Sequence, residues 1–207
     1  MTRRSLSIGA LVAAVALAVF WYVGAHRTPP LDFRGPALPH PYAAPDFTLT
    51  DQDGHPFRLS SLRGEVVLLF FGYTHCPDVC PTTLANFRRV HELLGADARD
   101  VRFVFVTVDP ARDHPSDIKR YLQLFGTVGD EFIGLSGSQA DLKGVFQRYG
   151  VWVDILGDPK KTANYAVAHS ANTYVIDRQG RIRLEYPWNP KEIDGLAHDV
   201  RLLVTSS

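Results

Sequence analysis

Hydrophobic and polar positions alternate along the chain in two distinct rhythms. The stretch EVVLLFFGY contains a continuous apolar run, Val66–Phe71, which predicts a strand buried on both faces. VRFVFVTVD, Val101–Asp109, predicts a second central strand, and EFIGLS a short third. Between and after them the period lengthens to that of a helix. Thr83–Leu94 places Leu84, Phe87, Val90, Leu93 and Leu94 on one face, and Asp117–Phe125 does the same with Ile118, Tyr121, Leu122 and Phe125. Gln139–Tyr149 is a further helix. Ahead of these elements, Asp46–Thr50 and Pro56–Leu59 flank Asp53-Gly54, a hairpin turn signal. Behind them, NTYVIDRQGRIRLEY reads as a hairpin turning at Gly180. In the last helix Asn189 is the N-cap, Pro190 the first helical residue and Glu192 the partner of a capping box. Ile193, Leu196, Ala197, Val200 and Leu203 form its buried stripe.

The order is therefore an N-terminal hairpin, a βαβαβα run, then ββα. Such alternation predicts an α/β domain with a mixed central sheet and helices on both faces. Cysteines at the junction of the first buried strand and its helix make this the thioredoxin arrangement.

The N-terminus follows another pattern. Arg3 and Arg4 precede an uncharged run, Ile8–Ala25. As a helix it spans roughly 27 Å, close to the hydrocarbon thickness of a bilayer. Trp21 and Tyr22 lie near its far end, where aromatic side chains favour the interface. The arginines predict a cytoplasmic N-terminus and an exported bulk, a single-pass inner-membrane protein facing the periplasm. The competing reading is a signal peptide cleaved after Val23-Gly24-Ala25. Residues 26–45 hold six prolines and read as an extended spacer, leaving 46–207 as the domain.

Composition narrows the function. Lys+Arg and Asp+Glu balance at 22 each, so no basic excess points to nucleic acid. Two cysteines in 207 residues are too few for a disulfide scaffold. Both fall in GYTHCPDVCP, as Cys76 and Cys80. Pro77 and Pro81 confine the helix start to the residues between them, which puts Cys76 at or just before the N-terminus. That end favours thiolate over thiol. At four residues' separation in a helix, the Cα atoms are roughly 6 Å apart. This suits a disulfide, a redox pair or two thiolates on one metal ion.

A third residue bears on that choice. His169, in YAVAHSANTYVID, precedes the strand Thr173–Ile176. In thioredoxin-like folds the corresponding segment faces the cysteine pair, and redox members carry a proline there. This chain has no proline between Lys161 and Asp177. Two sulfurs and an imidazole suit Cu(I) and can also hold Cu(II). Other features have plainer readings. His75 projects away from its neighbour, and His40, His55, His91, His114 and His198 read as solvated. Asp78 favours a helix N-terminus by its charge. Asp109, Arg112 and Asp113 read as a structural ion-pair and turn network, and Tyr73 and Trp188 as core. A peroxidase of related fold expects threonine three residues before its cysteine, but here Tyr73 holds that position and Thr74 the next.

The chain resembles the Sco/SenC family of membrane-anchored copper chaperones. The resemblance rests on the anchor and spacer, PDFTLTDQDG, VVLLFFGYTHCPDVCP, VTVDPARD and the histidine before YVID. It implies copper ligation by Cys76, Cys80 and His169. It also implies copper delivery to the CuA centre of cytochrome c oxidase subunit II, or reduction of that subunit's cysteines. Either role requires an upstream copper donor or thiol reductant. One departure stands out: family members often carry an acidic residue just before the histidine, and here it is Ala168.

Overall fold

The two apolar runs lie side by side at the centre of an eight-stranded sheet. In the computed structural model, which describes residues 14–18, 21, 31–126, 131–157, 162, 165–187 and 192–206, β4 is Val66–Gly72 and β5 is Val101–Thr107. All seven residues of β4 are buried, as a strand covered on both faces requires. The two strands pair in parallel, in register from Val66 opposite Val101 to Gly72 opposite Thr107. β6, Phe132–Ser136, continues the parallel set beside β5.

The flanks are antiparallel. On one side β2, Thr48–Asp51, pairs with β6 and with β3, Pro56–Arg58, closing the N-terminal hairpin. On the other, β9, Thr173–Ile176, pairs with β4 and with β10, Arg181–Tyr186. The β9–β10 turn needs Gly180, whose φ is +72°, while the Asp177 carboxylate accepts from the Gln179 and Arg181 amides. With β1, Ala37–Ala43, at the edge, the full order is β1-β10-β9-β4-β5-β6-β2-β3.

Among the described residues, four helices flank the sheet: α1, Val79–Leu94; α2, Pro115–Leu124; α3, Gln139–Tyr149; and α4, Ile193–Thr205. Most of the stripe read from the sequence is buried, with Leu93 and Ile193 only half-buried. Leu84, Phe87, Val90 and Leu94 of α1 and Leu196, Ala197, Val200 and Leu203 of α4 are all under 9% exposed. Burying each larger side chain contributes about 1.5–3 kcal/mol relative to leaving it in water. Phe70, Phe87, Phe103 and Phe105 interlock beneath α1, mostly at tilted or edge-on angles.

Three readings change. First, helix α1 begins at Val79, four residues earlier than the apolar period indicated, because Pro81 fits within a first turn. Second, the proline-rich stretch is not all spacer: Ala37–Ala43 is β1, an edge strand on β10. The register of that pairing shifts between Ala37 and Tyr42, the stretch that holds Pro39 and Pro41, and an edge strand or a bulge is where a sheet tolerates proline. Third, a separate two-stranded hairpin, β7 (Val153–Leu156) with β8 (Ala166–His169), stands outside the main sheet and was not anticipated.

The chain divides into two units, Met1–Asp32 and Phe33–Ser207. In the first, residues 14–18 and 21 are helical. Among the described residues no helix is long and apolar enough to cross a membrane. The anchor read over residues 1–25 falls mostly outside them, as do Trp188 and the Asn189–Pro190 helix start.

Candidate metal centre

The C-terminal ends of the parallel strands β4 and β5 open onto one spot, the usual place for a site in such sheets. After Gly72 the chain leaves β4, and the Cys76 amide donates to the Tyr73 carbonyl at 3.3 Å, forming a tight turn. Cys76 is half-buried just ahead of α1, and Cys80 is fully buried in its first turn. Neither is oxidised. The Cys80 amide points at the Cys76 sulfur, 3.5 Å away, so a free donor of the helix start faces the more exposed thiol. Hydrogen bonding from the Cys80 thiol, then from the Asp78 and Cys80 amides, holds the Cys76 thiol well below its usual range against the opposing effect of burial. Cys80 is pushed the other way by its bond to Cys76, by burial and by the neighbouring thiolate. The two thiols are thus driven apart, Cys76 toward the thiolate and Cys80 toward the protonated form.

The histidine arrives from the other side of the fold. His169 is the last residue of β8 and lies opposite Val153 of β7. Its Nε2 is 3.8 Å from the Cys80 sulfur. Its Nδ1 is 2.8 Å from the Ser170 carbonyl oxygen, which can only accept. Neutral His169 therefore carries its proton on Nδ1 and turns the Nε2 lone pair toward the sulfurs. Ser170 is itself fixed, since its amide donates to the Trp152 carbonyl and its hydroxyl accepts from the Trp152 amide, both at 3.0 Å. The rings of Phe70 and Tyr73 meet the imidazole edge-on at 6.3 and 5.9 Å. The support missing at Ala168 is thus supplied by a backbone carbonyl, which carries no residue-type signal.

The ligand atoms of Cys76, Cys80 and His169 all lie within 4.8 Å of one another, the one such group among the described residues. A first-row ion with bonds of about 2.3 Å to sulfur and 2.0 Å to nitrogen separates two trigonal ligands by about 3.7 Å. The 3.8 Å between Cys80 Sγ and His169 Nε2 needs little adjustment to reach that value. Two thiolates and an imidazole select a soft or borderline ion.

The remaining candidates fall elsewhere. His75 is half-exposed, with Nδ1 at 3.0 Å from the Thr74 hydroxyl and 3.8 Å from Asp113. Asp78 stands at the α1 N-cap without a capping side-chain bond. His40, His55 and His114 are exposed. Two histidines read as solvated are half-buried: His91 packs on Phe103 and Phe132, and His198 lies 3.0 Å from the buried Asp199.

A family model described as SCO1/SenC matches residues 36–205. The chain belongs to the SCO1/SenC family. A SCO2-like protein of Rickettsia felis is 38% identical over 150 residues, 72% of each chain. For two further rickettsial SCO2-like proteins the match spans 64% and 65% of their length. Among solved structures, apo Sco1 of Thermus thermophilus is 39% identical with a TM-score of 0.73, covering 83% of this chain and 96% of that one. ScoI of Bradyrhizobium japonicum, solved with copper bound, is 38% identical with a TM-score of 0.68, covering 78% and 99%. The architecture is the thioredoxin-like Sco fold, a mixed sheet flanked by helices.

Proposed function

We propose that this Sco protein binds copper through Cys76, Cys80 and His169 and passes it to the CuA centre of cytochrome c oxidase subunit II. One observation carries the reading: two reduced sulfurs and a correctly turned imidazole nitrogen converge within 4.8 Å at the mouth of the sheet. The copper held by the Bradyrhizobium relative supports the identity of the cargo. The partial exposure of Cys76 and His169 suits ligand exchange, since an incoming thiolate can reach the ion while the buried Cys80 still holds it. Residues 1–25 would tether this domain to the membrane that carries the acceptor. The test is to load the reduced chain with Cu(I), mix it with the reduced apo CuA domain of subunit II, and then remove one electron from the dicopper product with ferricyanide. Appearance of the purple CuA spectrum, lost with Cys76→Ser or Cys80→Ser, is the expected result. A wild-type chain that takes up no copper, or never yields it, overturns the reading.

A second reading draws on the asymmetry of the pair. A thiolate at Cys76 beside a protonated Cys80 is the arrangement of a thiol-disulfide reductase. Cys76 would attack a disulfide of subunit II, and Cys80 would then displace the mixed disulfide. The subunit leaves with two thiols and this chain with a Cys76–Cys80 disulfide. Reduction of the subunit II disulfide by the metal-free chain, with no transfer of copper, would favour this role over delivery.

A further inference from the structure

The turn from Asp109 to Asp113 touches both halves of the metal centre. It closes on itself, the Arg112 and Asp113 amides donating to the Asp109 carbonyl at 3.2 and 3.0 Å. Two buried carboxylates leave it in different directions. Asp109 accepts from the Tyr165 hydroxyl at 2.6 Å through one oxygen and from Arg112 Nε at 2.5 Å through the other. The Arg112 guanidinium lies 3.5 Å from the Tyr165 ring centroid and donates to the Tyr165 carbonyl at 2.9 Å. Tyr165 immediately precedes β8, the strand that ends in His169. Asp113 faces the cysteine loop. It accepts from the Thr74 amide at 3.0 Å, the Thr74 hydroxyl at 2.6 Å and the Thr107 hydroxyl at 2.6 Å. Thr74 stands two residues before Cys76.

The β7–β8 hairpin has no place in the eight-stranded sheet, and a lone two-stranded hairpin is marginally stable in water. The position of His169 therefore depends on what ties this hairpin to the scaffold. Beyond the Tyr165 clamp, the Val167 amide reaches the Tyr73 hydroxyl at 3.5 Å, a long bond. The clamp is shorter, charge-assisted and buried, so it holds the hairpin more firmly. We propose that Asp109, Arg112 and Tyr165 are positioning residues that set the distance of His169 from the cysteine pair, while Asp113 holds the cysteine loop from the same turn. The two halves of the site are then registered to one another by a single five-residue element rather than by a shared strand. The inference rests on the three-ligand copper site.

Tyr165→Phe tests it, because the variant removes one hydroxyl and keeps the ring under Arg112. The full reduced chain is compared in four forms: wild type, Tyr165→Phe, His169→Ala and the double variant. Cu(I) affinity is read by chelator competition, Cu(II) coordination by nitrogen hyperfine splitting in the electron paramagnetic resonance spectrum, and folding by melting temperature. Outer partners of a ligand typically set metal affinity by tenfold or more. Tyr165→Phe is therefore expected to weaken copper binding about tenfold and to diminish the nitrogen splitting while the thiolate absorption stays. In the His169→Ala background it is expected to have no further effect, since the hydroxyl acts through the imidazole. A lowered melting temperature with affinity and splitting unchanged overturns the proposal, as does an equal loss in both backgrounds. Arg112→Lys, which keeps the charge and loses the flat contact with Tyr165, is carried through the same cycle as a second variant. If wild type binds no copper, or His169→Ala binds as wild type does, the ligand set itself fails and the positioning role falls with it.

Discussion

The His169 imidazole stands 3.8 Å from the Cys80 sulfur across 89 residues of chain, with its other nitrogen 2.8 Å from the Ser170 carbonyl. The structure thus offers a pre-turned nitrogen rather than a mobile one, and the side chain at 169 decides which oxidation state the site favours. His169→Met replaces imidazole with a thioether, a soft donor of similar reach. Cu(I) binding should stay near the wild-type level while Cu(II) binding falls at least tenfold, because thioethers favour the softer ion. Parallel titrations with each ion check this. Equal losses of both would mean that the residue at 169 contributes shape and not donor chemistry.

Gly72 is the last residue of β4, and a β-carbon there would lie 2.9 Å from the Cys80 sulfur, 2.9 Å from Phe105 and 2.7 Å from Phe70. All three approaches are closer than a β-carbon tolerates, so the two core rings and the Cys80 sulfur must all shift. Overpacking of this kind costs about 1–3 kcal/mol. Gly72→Ala should lose that much stability in urea and should also bind copper more weakly than wild type at a temperature where it remains folded. A variant with normal copper affinity would show that Cys80 has slack that the structure does not reveal.

Asp113 supplies the pH dependence. The side chain is fully buried, and burial raises its pKa above the ordinary 3.8, ahead of the opposing bonds from Thr107 and Thr74, with nearby Asp109 adding to the rise. A carboxyl whose folded value is raised contributes stability fully present below its unfolded value and lost as pH rises through the folded one. Asp113→Asn removes this titration, and its amide oxygen can still accept from Thr74 or Thr107. The stability of the variant relative to wild type should therefore improve as pH is raised from about 4 to 7. Denaturant titrations of both proteins across that range measure it. A difference that stays flat, or moves the other way, shows that Asp113 is not strained by its charge.

How far the residues announced this structure depends on the range of the signal. β4, β5 and the buried stripes of α1 and α4 were legible because each carries its period within a single element. Cys76 and Cys80 were legible as a pair, and His169 only through its place before β9. The β7–β8 hairpin was not: Val153–Leu156 is too short for alternation to register, and its partner lies beyond an intervening loop. The Asp109–Tyr165 contact joins residues 56 apart, so the motif read as a local turn network gave no sign of its second half. The Ser170 carbonyl that orients His169 is a backbone group, and no side-chain pattern encodes it. β1 was hidden for a different reason. Its prolines carry the composition of a spacer, while its pairing with β10 and the buried side chain that receives the residues just before it are both long-range.

That side chain is Asp199. It is fully buried on α4 and accepts from the Arg34 and Gly35 amides at 2.8 Å each and from the Tyr186 hydroxyl at 2.6 Å, with His198 Nδ1 at 3.0 Å. The first two contacts fix the chain just before β1, and Tyr186 ends β10, the strand on which β1 pairs. One carboxylate therefore docks the N-terminal arm onto the domain. Asp199→Ala leaves these donors without an acceptor, and each buried unsatisfied group costs about 1–3 kcal/mol. Water reaching the loosened arm offsets part of this, so the expected loss is about 3 kcal/mol. Limited proteolysis should cut the variant near residues 33–43 much faster than wild type. Copper loading of the folded fraction should be unchanged, since neither cysteine nor His169 touches the arm. Protection equal to wild type would mean that β1 is held by its strand pairing alone. Copper loss alongside the cleavage would mean that the arm and the metal site are coupled through β10 and β9.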